Sequence, residues 1–349
     1  MSASFDGKRI LVTGGTGSLG QTFVRRLLSG SVGTPSKIII FSRDEAKQYQ
    51  MKMHWKQLRF ATDEIYYNNF TELLEYRIGD IRDSNSVLEA VRGCQIVFNM
   101  AAMKQVPTCE YFPYQSVLTN IQGAENIIRA AKDDGQVELI VGISTDKACK
   151  PINVMGMTKA LQERLFIESN LRLPATRVLC VRYGNVISSR GSVIPLFKEQ
   201  IRSGGPVTLT TPDMTRFLLS LEDAVDIILE ASKNGRRGDI YIPRIGAARI
   251  EDIARAMTAG TGIGIKVTGI RPGEKVHETL ISEEESYRSV SRGGHYVILP
   301  ELPELQDGTA SVRALDREYS SRDCTVQGPE LDKLLGRDRF EDIARVPSH

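Results

Sequence analysis

The chain has 349 residues, of which 25% are charged and 41% hydrophobic, a composition typical of a globular protein with one large domain or slightly more. The formal net charge of +2 argues against nucleic acid or a membrane surface as a partner. The five cysteines are odd in number and scattered, so we expect neither a disulfide framework nor a metal site. We expect no signal peptide, no membrane span and a reduced, cytoplasmic location.

A glycine-rich turn near the N-terminus is the first chemical signature. It follows an apolar run at residues 10–12, precedes a stretch with helical spacing, and reads Thr13-Gly14-Gly15-Thr16-Gly17-Ser18-Leu19-Gly20. A strand, a glycine turn and a helix in this order are typical of the pyrophosphate site of a dinucleotide. We predict that Gly14 permits the tight turn, Gly17 lets the backbone approach the phosphates, and Gly20 lets the helix pack closely. Thr16, Ser18 and Leu19 complete the predicted cradle at the helix N-terminus.

Apolar runs and helical patterns alternate through the first half of the chain. The predicted strands are residues 37–41, 96–98, 139–141 and 178–181, and the predicted helices are residues 86–91, 121–131 and 159–169. This alternation predicts the α/β class, with a doubly wound parallel sheet covered by helices.

The alternation loosens after about residue 192. There we predict helices at 195–202, 222–232 and 250–257 and a strand at 240–242. We therefore assign residues 1–190 to the dinucleotide-binding domain, with contributions from about 221–245. Residues 191–349 form mostly a smaller α/β substrate-binding region and a tail.

The end of the second strand bears on the choice of cofactor. Arg43 follows Ser42, and Lys47 lies nearby. An arginine at this place suits the 2′-phosphate of NADP, whereas the acid Asp44 leaves NAD open. The alternative for Arg43 is a solvated residue at the start of a helix. Small residues after the fourth strand, Ala101 and Ala102, would let the backbone lie beside a flat ring.

The segments Ser144-Thr145-Asp146-Lys147 and Met155-Gly156-Met157-Thr158-Lys159 resemble the extended short-chain dehydrogenase/reductases that modify nucleotide sugars. That family places Ser or Thr after the fifth strand and Tyr-x-x-x-Lys on the next helix. Lys159 occupies the lysine position and Met155 the tyrosine position. A thioether cannot take or give a proton, so a tyrosinate mechanism does not fit this chain.

A narrower resemblance is to the C5-inverting UDP-N-acetylglucosamine 4,6-dehydratases of the CapE/PseB type, some of which have Met at the tyrosine position. It covers about residues 8–285. Besides the segments above, it rests on Arg182-Tyr183-Gly184-Asn185-Val186, Ser189-Arg190-Gly191-Ser192-Val193-Ile194-Pro195, Met214-Thr215-Arg216-Phe217 and Arg271-Pro272-Gly273-Glu274-Lys275.

The resemblance implies a reaction that needs an adjacent acid and base. Hydride leaves sugar C4, and the C5 proton and the C6 hydroxyl are then eliminated as water. The hydride returns to C6, and C5 is reprotonated. Asp146 is the expected acid, and Lys147 the expected base if its pKa is lowered. Lys159 would bind the nicotinamide ribose and Thr145 the sugar O4. The O4 proton would leave through Lys159, Lys147 or water.

The resemblance also assigns further binding residues. Asp80 and Ile81 join the cofactor site. The expected substrate contacts are Lys104, Asn185, Val193, Arg216, Arg271 and Glu274, for which surface ion pairs are the alternative.

The implied product is UDP-2-acetamido-2,6-dideoxy-β-L-arabino-hex-4-ulose, made for bacterial surface polysaccharide or glycan sugars by a homo-oligomer such as a hexamer. Three alternatives stay open: a retaining 4,6-dehydratase, a nucleotide-sugar 4-epimerase and a non-catalytic NADP-binding regulatory relative.

Overall fold

The computed structural model describes residues 5–57, 72–187, 193–306, 308 and 312–335. The strands are β1 (Arg9–Thr13), β2 (Lys37–Ser42), β3 (Leu74–Ile78), β4 (Ile96–Asn99), β5 (Leu139–Thr145), β6 (Arg177–Tyr183), β7 (Asn185–Val186), β8 (Val207–Leu209), β9 (Thr215–Leu219), β10 (Ile240–Ile242), β11 (Ala247–Arg249), β12 (Ile265–Val267), β13 (Thr279–Ile281), β14 (Ser289–Arg292), β15 (His295–Ile298) and β16 (Tyr319–Ser320).

The α-helices are α1 (Ser18–Leu28), α2 (Glu45–Gln57), α3 (Ser84–Val91), α4 (Val106–Tyr111), α5 (Pro113–Ser116), α6 (Gly123–Asp134), α7 (Val154–Arg172), α8 (Val193–Arg202), α9 (Leu221–Asn234), α10 (Ile250–Thr258), α11 (Glu283–Ser286) and α12 (Pro329–Leu335). A π-helical turn spans Val117–Gln122, and 3₁₀ turns span Asp146–Ala148 and Pro303–Leu305.

The main sheet has nine strands in the order β14-β15-β10-β6-β5-β4-β1-β2-β3. The strands from β10 to β3 in this order run parallel, and β15 and β14 add an antiparallel edge. The chain order reverses between β1 and β4, which places a crevice at the carboxyl ends of these strands. This architecture confirms the predicted doubly wound α/β fold.

The central strands are predominantly apolar because helices cover both faces of the sheet. Ile10, Leu11 and Val12 in β1 are all fully buried. One face packs against α1 and α9, and the other against α3, α6 and α7. This packing fixes the strand ends that carry the site.

The smaller sheets lie in the second half of the chain, in the orders β11-β9-β7, β12-β8 and β13-β16. The sheets β11-β9-β7 and β12-β8 share a separate apolar core with α8 and α10, which includes Phe197, Leu218 and Ile253. The β13-β16 pair packs instead against the main sheet, through Leu280, Ile281 and Tyr319. Residues 289–298 return to the main sheet, which the sequence did not predict. The predicted domain boundary at 190 and the motif residues 189–192 lie outside the described residues, so the domain division stays a prediction.

Candidate active site

The glycine turn joins β1 to α1 at the crevice. Gly14 has φ +68°, and a Cβ atom there would lie 2.8 Å from the backbone nitrogen of Ala101. The turn is closed by a hydrogen bond from Gly17 N to Gly14 O of 3.0 Å. A Cβ atom on Gly20 would lie 2.5 Å from Gly15 Cα. Gly14 and Gly20 therefore serve the close turn and close packing that the sequence predicted.

The N-terminus of α1 fits an anion such as a pyrophosphate. Gly17 is the N-cap, and no side chain caps this end of the helix. Uncapped N–H groups and the positive end of the helix dipole favour a phosphate. Ser18 and Leu19 are the first residues of α1, and Thr16 is a buried residue of the turn itself. Ala101 is tied to β1 because its N–H donates to Thr13 Oγ1 at 3.2 Å, and Ala102 follows it at the same strand end.

The end of β2 presents a cation where the adenosine ribose is predicted to bind. The Arg43 side chain is 63% exposed, and its Nη1 lies 3.8 Å from the Asp80 carboxylate. The Asp44 carboxylate accepts hydrogen bonds from Lys47 N at 3.0 Å and from Lys47 Nζ at 2.5 Å. Asp44 is therefore engaged by its own helix, whereas Arg43 faces solvent.

Two other predicted cofactor residues, Ser42 and Ile81, make contacts within the protein. Ser42 Oγ accepts a hydrogen bond from Gln48 at 3.0 Å. Ile81 is buried and packs against α6, because a Cβ atom on Gly123 would lie 2.9 Å from its side chain.

A 3₁₀ turn at the end of β5 carries the predicted acid–base pair. Asp146 is fully buried, and its Oδ1 accepts from Thr145 Oγ1 at 2.8 Å and from Lys147 Nζ at 3.0 Å. Thr145 Oγ1 also accepts from the Lys147 N–H at 3.4 Å. A hydroxyl oxygen has two lone pairs, so Thr145 keeps one acceptor position for a sugar hydroxyl. Thr145, Asp146 and Lys147 therefore form one connected unit.

The lowered pKa that the sequence predicted for Lys147 is wrong. Burial lowers the pKa of this ammonium, but the carboxylates of Asp146 and Glu278 raise it by more than burial lowers it. The net shift is therefore upward. Lys147 therefore rests protonated, as a proton donor rather than a proton acceptor.

Lys159 shows the opposite behaviour on α7. Its ammonium is buried and donates to the Ile143 carbonyl and, at 2.6 Å, to Gln162 Oε1. Burial lowers the pKa of Lys159 to about 8, because neither acceptor carries a charge. Lys159 is therefore the lysine of the site that loses its proton more readily.

Met155 lies on the first turn of α7, one turn before Lys159, and is buried. The helix begins at an Asn153 cap, whose Oδ1 accepts from the Gly156 N–H at 2.8 Å. A Cβ atom on Gly156 would lie 2.2 Å from the Lys147 carbonyl oxygen. Only glycine thus lets α7 pass this close to the 3₁₀ turn at the end of β5.

Glu278 is a site residue that the sequence reasoning missed. Its Oε1 lies 3.4 Å from Lys147 Nζ and 3.8 Å from Arg216 Nε, and its side chain is 2% exposed. It follows the Arg271–Lys275 motif by only three residues, which is the signal that could have found it. The structure thus surrounds Lys147 with carboxylates from two distant parts of the chain.

The predicted substrate contacts are not all equally available. Arg216 is buried and donates to the carbonyls of Lys275 at 2.9 Å and Val276 at 3.1 Å. This placement favours a structural role, in which Arg216 holds the segment before Glu278. Arg271 is exposed, with its Nη1 3.9 Å from Glu274 Oε1.

Two of the other predicted contacts keep unused polar atoms. Among the described residues, the structure gives no hydrogen-bond partner for the buried atoms Asn185 Oδ1 and Glu274 Oε2. Lys104 is exposed near the end of β4, and Val193 is half-buried at the start of α8. The roles of all these residues in binding stay predictions.

The described residues offer neither a cluster of metal ligands nor a helix that could span a membrane. Within residues 5–57, 72–187, 193–306, 308 and 312–335, no three histidine, cysteine or acidic side chains are grouped as metal ligands would be. Within the same ranges, the helices are too short or too polar to cross a membrane.

Comparisons with known proteins give a consistent family. A family model described as polysaccharide biosynthesis protein matches residues 10–300. A UDP-glucose 4-epimerase of Rickettsia prowazekii (strain Madrid E) is 44% identical over 342 residues, which cover 95% of this chain and 96% of that protein. The corresponding protein of Rickettsia canadensis (strain McKiel) is 41% identical over the same shares of the two chains.

Solved structures agree with the fold. The X-ray structure of Pen from Bacillus thuringiensis is 31% identical, covers 94% of this chain and 96% of that chain, and has a TM-score of 0.84. DesIV, a dTDP-glucose 4,6-dehydratase from Streptomyces venezuelae with NAD and TYD bound, is 22% identical with a TM-score of 0.65. It covers 77% of this chain and 86% of that chain, and it supports the fold alone.

Proposed function

This chain belongs to the polysaccharide biosynthesis protein family matched over residues 10–300, and we propose that it catalyses NADP-dependent 4,6-dehydration of UDP-N-acetylglucosamine with inversion at C5. The product would be UDP-2-acetamido-2,6-dideoxy-β-L-arabino-hex-4-ulose. The observation that carries this proposal is the Thr145-Asp146-Lys147 unit, which joins a charged donor to a carboxylate within 3.0 Å. Eliminating water across C5 and C6 requires such a pair.

A 4-epimerase is the second candidate, because relatives that are 44% identical carry that name. Epimerisation at C4 requires hydride transfer and one proton transfer at the O4 hydroxyl. It requires no acid for the C6 hydroxyl and no base for C5. The donor and carboxylate at the β5 end would therefore be superfluous, and this favours dehydration.

The residues of the crevice fit a dinucleotide, since the glycine turn and the uncapped α1 end suit its pyrophosphate. NADP, when bound, supplies a hydride acceptor for C4 and a hydride donor for C6. Gly14, Thr16, Gly17, Ser18 and Leu19 would hold the pyrophosphate. The remaining cofactor contacts would be Ser42, Arg43, Asp80, Ile81, Ala101, Ala102 and Lys159. Exposed Arg43 beside an engaged Asp44 supports NADP over NAD.

Each acid–base group takes the role that its surroundings favour. Thr145 accepts a hydrogen bond from the O4 hydroxyl when the sugar binds, and Lys159, with a pKa of about 8, takes the O4 proton when hydride leaves C4. Lys147, protonated at rest, gives a proton to the leaving C6 hydroxyl. The Asp146 carboxylate, whose Oδ2 has no partner in the described part of the chain, takes the C5 proton. This reverses the roles that the sequence alone suggested for Asp146 and Lys147.

The test is incubation with UDP-N-acetylglucosamine in deuterated water, followed by NMR of the product. We expect a 4-keto-6-deoxy sugar with inverted C5 that carries solvent deuterium. UDP-N-acetylgalactosamine would establish the 4-epimerase instead, unchanged C5 configuration would establish a retaining dehydratase, and absence of any product would refute both activities.

Two variants separate the roles of the pair. Lys147→Ala should lose C6 elimination but still exchange the C5 proton with solvent, because the carboxylate remains. Asp146→Asn should lose both. If Lys147→Ala alone abolishes C5 exchange, Lys147 is the base and our assignment is wrong.

A further inference from the structure

Resting on the proposed function, we propose that Glu278 is a positioning residue that holds the Lys147 ammonium in place and keeps it charged. It would link the second half of the chain to the catalytic turn at the end of β5. The proposal rests on three observations: the contact itself, the way in which the backbone fixes Glu278, and the charges that surround Lys147.

The carboxylate side of the contact is buried. Glu278 Oε1 lies 3.4 Å from Lys147 Nζ, and the other carboxylate oxygen has no hydrogen-bond partner among the residues described. Lys147 is the more exposed partner, with 20% of its side chain accessible against 2% for Glu278. Substrate therefore meets Lys147, and Glu278 acts on the reaction through it.

The position of Glu278 is set by main-chain bonds and does not depend on its carboxylate. Its N–H donates to Ser321 Oγ at 2.9 Å, and the Ser321 N–H donates to the Glu278 carbonyl at 2.8 Å. Arg216 holds the carbonyls of Lys275 and Val276 just before it. A glutamine at 278 can therefore keep the local fold while it loses the charge.

The charges around Lys147 come from several elements. Asp146 lies on the same turn and Glu278 lies before β13, whereas the opposing cation Arg216 belongs to β9. Lys275 also acts on Glu278. Burial and Arg216 both lower the pKa of Lys147, so the two carboxylates together keep it protonated. Burial raises the pKa of Glu278 itself, and the negative charge of Asp146 raises it too, because the two carboxylates repel each other.

The first experiment needs no substrate, so it does not depend on the proposed reaction. The purified full chain is labelled with trace acetic anhydride at a series of pH values, and acetylation of Lys147 is quantified by mass spectrometry. Even in bulk water two unit charges about 4 Å apart interact by about 1 kcal/mol, so Glu278→Gln should label at least about fivefold faster than wild type at neutral pH. Glu278→Asp, which keeps the charge, should restore part of the difference.

A matched control variant and the limiting rate of acetylation at high pH distinguish loss of charge from a nonspecific effect or greater exposure of Lys147. Glu318→Gln removes another glutamate that pairs with a lysine, Lys150, at 2.6 Å, and it should leave Lys147 labelling unchanged. Greater exposure of Lys147 would raise the limiting rate at high pH, whereas loss of charge stabilisation moves the midpoint of the pH curve downward. An unchanged midpoint in folded Glu278→Gln overturns the proposal.

The second experiment is the pH profile of turnover on UDP-N-acetylglucosamine. With Lys147 as donor, the alkaline limb of the Glu278→Gln profile should shift to lower pH than in wild type. The fraction of activity that the variant retains should therefore be larger in acid than in alkali. A uniform loss at every pH would mean a merely structural role and overturn the inference. A downward shift of the acid limb instead would support the action of Glu278 on Lys147 and refute the donor assignment. Absence of turnover in wild type would refute only the proposed function.

Discussion

The contact between α7 and the 3₁₀ turn at the end of β5 provides a sharp test of how the proposed site is positioned. In Gly156→Ala the new Cβ atom would lie 2.2 Å from the Lys147 carbonyl oxygen. Such contacts essentially never fall below 3.0 Å, so the turn or the helix must shift by about 0.8 Å. A misplacement of about 1 Å in a catalytic group can cost about 10²-fold in rate. We therefore expect kcat to fall by about 100-fold.

The assay is formation of the keto sugar from UDP-N-acetylglucosamine, with thermal unfolding and NADP binding measured on the same preparations. The predicted pyrophosphate contacts lie on another element, the turn between β1 and α1, so NADP should still bind even if the Lys159 contact on α7 is weakened. Gly205→Ala is the control, because a Cβ atom there meets no heavy atom within 4 Å. If Gly156→Ala turns over within threefold of wild type, the position of the Lys147 carbonyl does not govern catalysis.

Three further predictions follow from the same geometry. In calorimetry, Arg43→Ala should weaken NADP binding by about 10- to 100-fold and NAD binding hardly at all, since hydrogen bonds to charged groups contribute about 1.5–3 kcal/mol. Lys52→Ala on α2 is the control, and equal weakening of both cofactors would contradict the assignment. Met155→Ala should keep measurable turnover and Lys159→Ala should lose more, because only Lys159 can move a proton; the reverse order would show a chemical role for the thioether. Wild-type turnover should rise with pH up to about 8, as Lys159 loses its proton, and a flat profile there would exclude Lys159 as the O4 base.

The sequence was sufficient to predict the central part of the fold. Continuous apolar runs such as residues 37–41 and 139–141 become buried parallel strands, because both faces of the sheet are covered. It failed at the edges. β3 reads Leu-Glu-Tyr-Arg-Ile, and β14 and β15 contain serine, arginine and histidine. Strands at the edge of a sheet need not be apolar, so their pattern is hard to distinguish from a loop.

The geometry of the candidate site was predictable where one short segment forms it. The glycine turn and the Thr145-Asp146-Lys147 unit each work through neighbours in sequence. Glu278 lies 131 positions after Lys147 in the chain, and the contact exists only because the segment after Lys275 is held by Arg216 and Ser321. A local motif contains no information about such a long-range pair.

The two lysines of the site show why protonation could not be predicted from residue type. Both side chains are largely buried, and burial alone lowers the pKa of an ammonium. Lys159 has only uncharged acceptors, the Ile143 carbonyl and the Gln162 amide, so burial prevails. Lys147 has two carboxylates, so charge prevails and its pKa is raised. One lysine is thus set to accept a proton and the other to donate one, and the second depends on Glu278, a residue from another part of the chain.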